Sequence, residues 1–259
     1  MADPVTKSLV NMLNKVPEVT LVFWIIKIMS TTVGETGADY LAVQAGLGTA
    51  ITAGIMGVWL FFALTLQLKT QRYVPWNYWL TVVLVSIVGT QITDALTDGL
   101  GISLYTSTAI FAIGLVAVFY MWYRSERTLS IHTIFTPRRE LFYWLAILVT
   151  FALGTAAGDL ATEALGLGLR LGVVIFSLAI AAIVLASFLG ANRVLTFWIA
   201  YILTRPLGAA IGDFLSQARA HGGLGFGTIA TSIAFLTVIV ALVVSVTVAQ
   251  ERSSPSRAV

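Results

Sequence analysis

The chain has 259 residues, of which 58% are hydrophobic and 10% charged, with a net charge of +3 and no cysteine. A soluble domain carries about 25% charged residues, so a soluble fold is excluded. Disulfides, thiolate metal sites and thiol nucleophiles are excluded with it. The basic residues lie scattered over short loops, which argues against a nucleic-acid partner and leaves the lipid bilayer as the principal one.

The chain opens on "MADPVTKSLVNMLNKVPEV". This stretch is polar and lacks the apolar core and cleavage site of a signal peptide, so it is expected to be retained. Residues 1–17 are read as a cytoplasmic segment. Apolar runs of spanning length then predict eight helices, at about 18–43, 47–68, 76–97, 102–124, 140–163, 169–190, 193–217 and 225–249. Pro17 suits the first turn of the first helix. The fold class is therefore an all-α integral membrane bundle of four helical hairpins. Repeat 1 covers 18–68, repeat 2 covers 76–124, repeat 3 covers 140–190 and repeat 4 covers 193–249. A cytoplasmic linker, 125–139, is expected to divide two halves. The polar tail, 250–259, is expected to be disordered.

Orientation follows from Lys and Arg. The termini and inter-hairpin linkers hold Lys7, Lys15, Lys69, Arg72, Arg124, Arg127, Arg138, Arg139, Arg193, Arg252 and Arg257, whereas the opposite side holds Arg170 and Arg219. Both termini are thus expected in the cytoplasm, and the protein in a bacterial inner membrane.

The first helix of each hairpin repeats one pattern without gaps: "FWIIKIMSTTVGETGADYL", "YWLTVVLVSIVGTQITDAL", "YWLAILVTFALGTAAGDLA" and "FWIAYILTRPLGAAIGDFL". An aromatic–Trp pair opens each copy, at Trp24, Trp79, Trp144 and Trp198. Gly follows at Gly34, Gly89, Gly154 and Gly208, then Asp at Asp39, Asp94, Asp159 and Asp213, then Gly-Leu-Gly. The Trp residues suit interfacial anchors. Each Gly has a small residue four positions on (Ala38, Thr93, Gly158 or Gly212), a spacing that lets membrane helices approach closely. The Asp borders that seam and should not face lipid.

Four tandem two-span copies with this motif resemble a bacterial family built from four tandem copies of a membrane repeat of unknown function, whose members are usually labelled membrane-anchored proteins. The resemblance runs from about residue 14 to 249 and is most specific in "LNKVPEVTLVFWIIKIMSTTVGETGADYL". It implies a repeat architecture with pseudo-symmetry about the membrane normal, and no activity.

The acids form a second pattern. Glu35/Asp39, Asp94/Asp98 and Asp159/Glu163 are spaced i,i+4, which puts each pair on one helix face; Asp213 is followed instead by Gln217. Like charges at this spacing repel, and acids at a helix C-terminus oppose its dipole. A cation, a proton or a basic partner must compensate. Intramembrane charges usually mark ion pathways or proton relays. The competing structural reading ties each Asp to its own Gly-Leu-Gly backbone or to Arg170, Arg205 or Arg219.

Repeat 1 adds Lys27, Thr31 and Glu35, which continue to Asp39 as one i,i+4 stripe. Glu35 has no acidic counterpart and is the sharper functional candidate. Repeat 4 adds Arg205, a candidate counter-charge to Glu35 or an Asp, and Pro206, which is expected to kink its helix and free the Ile202 carbonyl. His132 and His221 read as surface residues. No nucleophile–base set appears, so no enzyme is expected.

The leading expectation is a transporter of a small cation, with Glu35, Asp39, Asp94, Asp159 and Asp213 as metal ligands and Asp98 and Glu163 as further cation or proton sites. Lys27, Thr31 and Arg205 would support them. Such hard oxygen ligands suit a proton, Mg²⁺, Mn²⁺ or Ca²⁺. Alternatives are a proton-coupled transporter of an organic or anionic solute and a non-transporting scaffold with structural Asp residues. Oligomeric state is open.

Overall fold

The computed structural model describes residues 14–253. Lys7, Arg257, residues 1–13 of the expected N-terminal segment and residues 254–259 of the tail lie outside them. Among the described residues the regular structure is helical throughout, with eight long helices: α1 Leu21–Asp39, α2 Thr49–Lys69, α3 Pro75–Asp94, α4 Leu104–Glu126, α5 Pro137–Asp159, α6 Gly168–Phe188, α7 Arg193–Ser216 and α8 Thr228–Ser253. Seven of these elements are long and apolar enough to cross a membrane. The other is α1, which carries Lys27, Glu35 and Asp39 and lies inside the bundle.

Local chemistry sets the starts. Thr20, Ser103, Thr136 and Asn192 cap α1, α4, α5 and α7 with side-chain oxygens that accept first-turn N–H groups. Pro75 and Pro137 open α3 and α5, where a missing N–H costs nothing. Pro17 does not open α1, because the cap at Thr20 starts that helix at Leu21. α8 extends into the expected tail, so residues 250–253 are helical.

The odd-numbered helices form a closed inner ring, α1–α3–α5–α7–α1, and all four seams are extensive. The α3–α5 seam, which joins the inner helices before and after the 125–139 linker, is one of these four. Each even-numbered helix stands outside the ring against the first helix of the next repeat: α2 on α3, α4 on α5, α6 on α7, and α8 back on α1. The hairpins interlock, so no repeat is a separately packed pair. Inner helices α3, α5 and α7 are more than half buried, whereas the outer helices are mostly exposed. The exposed faces carry Trp59, Phe62, Ile113, Leu178 and Ile233, as lipid contact demands.

The repeated Gly makes the ring. A Cβ on Gly34 would stand 2.5 Å from the Ser86 Cβ, on Gly89 2.6 Å from that of Phe151, on Gly154 2.5 Å from that of Arg205, and on Gly208 2.5 Å from that of Thr31. Each Gly thus faces the same repeat position, seven residues after Trp, in the next copy. Only a missing side chain permits this approach. Pro206 sits inside α7, which runs past it unbroken, and its ring packs over Gly154 and Gly158 of α5.

Candidate functional site

The ring encloses an axial stripe that can be followed residue by residue from one end. At the N-terminal ends of the inner helices the four aromatic–Trp pairs close a floor. Phe23 meets Trp79 at 5.6 Å between ring centroids, Tyr78 meets Trp144 at 5.5 Å, Tyr143 meets Trp198 at 6.2 Å, and Phe197 meets Trp24 at 5.6 Å. Each pair therefore touches the next repeat's Trp, and the circle closes. Trp79, Trp144 and Trp198 are buried. They are packing residues of the ring more than the lipid-facing anchors expected from their position.

That end is also covered. Ile131 and Ile134 of the linker are buried there, and Trp198 donates to the Leu129 carbonyl. Lys15 pairs with Glu140 at 2.8 Å, with both side chains buried, and donates to the Leu68 carbonyl. Gln67 donates to Glu140 and accepts from Asn77.

One turn further along the axis lies Lys27, fully buried. Its Nζ stands 4.0 Å from the Phe151 ring centroid and 4.3 Å from that of Tyr201, and no hydrogen-bond partner reaches it among the described residues. The rings offer a cation–π environment to an amine that no carboxylate reaches.

The next groups on the axis form a hub. Arg205 is fully buried, and the two N–H groups of its Nη2 are shared among three oxygens, Glu35 Oε2 at 2.6 Å, Thr155 Oγ1 at 2.7 Å and Thr90 Oγ1. Glu35, Thr90 and Thr155 occupy one repeat position, eleven residues after Trp, in repeats 1, 2 and 3; repeat 4 has Ala209 there. One nitrogen therefore meets three repeats at equivalent points, which puts it near the pseudo-fourfold axis. Arg205 Nε and Nη1 have no partner among the described residues.

Beyond the hub come the four repeated Asp residues, all half-buried. Asp39, Asp94, Asp159 and Asp213 interact electrostatically with both neighbours around the ring, and Glu35 acts on each. Asp98 and Glu163 follow at the exposed outer end. Burial thus falls from the sealed aromatic floor to the acids. Each of the first three Asp residues is followed by a five-residue π-helical stretch, Tyr40–Gln44, Ala95–Gly99 and Leu160–Ala164. Such widened turns are frequent at functional sites.

The expected residues separate into groups. Arg205 and Glu35 do pair. Thr31 is no partner of the acids, since its hydroxyl donates to the carbonyls of Ile28 and Thr204 in the α1–α7 seam. Lys27 reaches aromatic faces and no carboxylate. Among the described residues no hydrogen bond ties the repeated Asp side chains to their Gly-Leu-Gly connections; Arg170 lies over Phe214, and Arg219 bonds to the Leu224 carbonyl. Among the described residues no three acidic or His side chains come close enough to hold one metal ion. Glu35, Asp39, Asp94, Asp159 and Asp213 therefore share one end of the axis without forming the five-ligand metal set; the four Asp residues stand on four different helices, Glu35 shares α1 with Asp39, and Glu35 is held by Arg205.

Thr90 and Thr155 were not among the candidates, although they share Glu35's offset from Trp. The Lys15–Glu140–Gln67–Asn77 cluster left no sequence signal, because its members come from four separate segments.

The family described as Repeat of Unknown Function (DUF347) matches residues 22–73, 77–128, 142–190 and 196–252. The chain belongs to this repeat family. All four DUF347 matches open one residue before the aromatic–Trp pair, and each runs to the end of the following outer helix or to within one residue of it. The DUF347 unit is thus one inner helix with one outer helix. No curated protein and no solved structure matches the chain.

Proposed function

We propose that this protein is a membrane transporter whose pathway follows the pseudo-fourfold axis. The carrying observation is the axial stripe: Lys27, Arg205 and Glu35 buried at its centre, the four Asp residues beyond them, and exposed acids at its mouth. Charges in a membrane interior are expensive, and their usual role is to bind or pass other charges. The grading from open acids to a sealed floor suits one state of a carrier that opens its two ends in turn. Parallel repeats with a site at their shared interface occur among transporters.

The cargo we propose is a small cation. Acids at the mouth raise the local cation concentration, and carboxylate and hydroxyl oxygens suit Mg²⁺, Mn²⁺, Ca²⁺ or a proton. Protonation of the acids would couple movement to the proton gradient. The charge bias supports a bacterial inner membrane with cytoplasmic termini, which puts the acidic mouth outside. A second reading, a proton-coupled transporter of an organic or anionic solute, is favoured by one observation, the unpaired Lys27 Nζ.

Proteoliposomes test both. We expect uptake of Mn²⁺, Mg²⁺ or Ca²⁺, or a proton flux, above empty vesicles, and expect Asp159→Asn and Asp39→Asn to reduce it. Folded protein that moves none of these would remove the cation reading. Flux of a carboxylate or phosphate solute that requires Lys27 would favour the second.

A further inference from the structure

The guanidinium of Arg205 stands in surroundings built for a cation. Three oxygens surround Nη2, one carboxylate and two hydroxyls, from equivalent positions of three repeats. The hydroxyl protons are already spent. Thr90 Oγ1 donates to the Ser86 carbonyl and Thr155 Oγ1 to the Phe151 carbonyl, each at 3.1 Å. Both threonine oxygens therefore face the axis as acceptors, as the oxygens of a metal site do.

The occupant fits less well than the site. Arg205 is fully buried, yet its Nε and Nη1 find no acceptor among the described residues, and unpaired buried cationic donors are costly. A guanidinium selected for structure alone would be expected to use its planar fork, which matches a carboxylate with two parallel bonds. Here one nitrogen shares its two N–H groups among all three oxygens. The repeat supplies a comparison, since Thr31, Ser86 and Phe151 stand where Arg205 stands in repeat 4, and each packs against the preceding repeat's Gly. The seam needs no arginine.

We propose that the oxygens of Glu35, Thr90 and Thr155 form an axial cation site that the chain fills with its own Arg205, making this side chain a tethered competitor of a metal cation entering past the Asp ring. The inference deepens the transport reading and rests on it. With no cation present, Arg205 neutralises Glu35 and keeps the centre closed. An incoming cation takes over the three oxygens and releases the guanidinium toward the acids beyond.

Binding by purified protein tests this separately from flux. Arg205→Ser and Arg205→Thr place in repeat 4 the residues that repeats 2 and 1 already use at this seam. Calorimetric titration with Ca²⁺, Mn²⁺, Mg²⁺ and Na⁺ should give an apparent Kd for at least one ion that is lower than in the native chain by about ten-fold or more, because the competitor is gone. The double variant Glu35→Gln, Arg205→Ser should lose that gain. Helical, monodisperse single variants that bind every ion no better than the native chain overturn the inference, as does a double variant that binds as tightly as the single one. Should neither single variant be monodisperse, restoration by added Ca²⁺ or Mn²⁺ supports the inference, and failure to restore overturns it. Tight binding without flux would sink the transport reading alone.

Discussion

The inner and outer helices come from the same four repeats yet obey opposite rules. An inner helix is apolar only in part and spends its Gly, Thr and charged positions on its neighbours. An outer helix is nearly all apolar and touches mainly lipid and the next repeat's inner helix. Lipid solvates an outer helix wherever its side chains are apolar, so its sequence is loosely constrained. Polar groups buried in the inner ring have only one another to bond, and among the described residues Lys27 Nζ and Arg205 Nε and Nη1 are left without a partner. Specific function is therefore sought inside, and tolerance to substitution outside.

The largest expected effect breaks the inner ring at its hub. Glu35→Gln leaves the Arg205 charge buried without its carboxylate and should cost about 3–5 kcal/mol, read as reversible unfolding in mixed micelles. Gly208→Ala forces a Cβ against Thr31 in the α1–α7 seam and should cost about 1–3 kcal/mol in the same assay. Lys27→Met removes a buried amine with no hydrogen-bond partner among the described residues and should raise stability by about 1–3 kcal/mol. A loss there would mean that the Phe151 and Tyr201 faces hold the charge well.

The outer ring supplies the contrast. A Cβ on Gly57 of α2 meets nothing within 4 Å among the described residues, so Gly57→Ala should be neutral or stabilising by up to about 1 kcal/mol through helix propensity. A cost as large as that of Gly208→Ala would erase the distinction between the rings. Smallest of all, Asp98→Asn at the exposed mouth should change stability by no more than about 0.5 kcal/mol.

Much of the inner ring was legible beforehand. The repeated Gly announced close helix packing, and the departures Glu35 and Arg205 marked two of the four repeats that meet at the hub. Other parts were not legible. Trp at a helix start reads as a lipid anchor from its amphipathic chemistry, yet three of the four pack inside, because each aromatic–Trp pair finds the next repeat's pair. Thr31 looked like an oxygen ligand in the i,i+4 stripe, but its hydroxyl is taken by helix carbonyls. Thr90 and Thr155 were hidden by being ordinary residues, since nothing local distinguishes a threonine that bonds its own helix from one whose free lone pair faces an axis.

Composition and periodicity by themselves determined the membrane setting, the helices and the fourfold repeat, because apolar length and internal identity are properties of the chain alone. Tertiary structure decided how the repeats interlock, with each outer helix packed on the following copy, and decided that one arginine nitrogen meets three repeats at a single point. Neither can be read from spacing along the chain, because both depend on which helix faces share an axis in space.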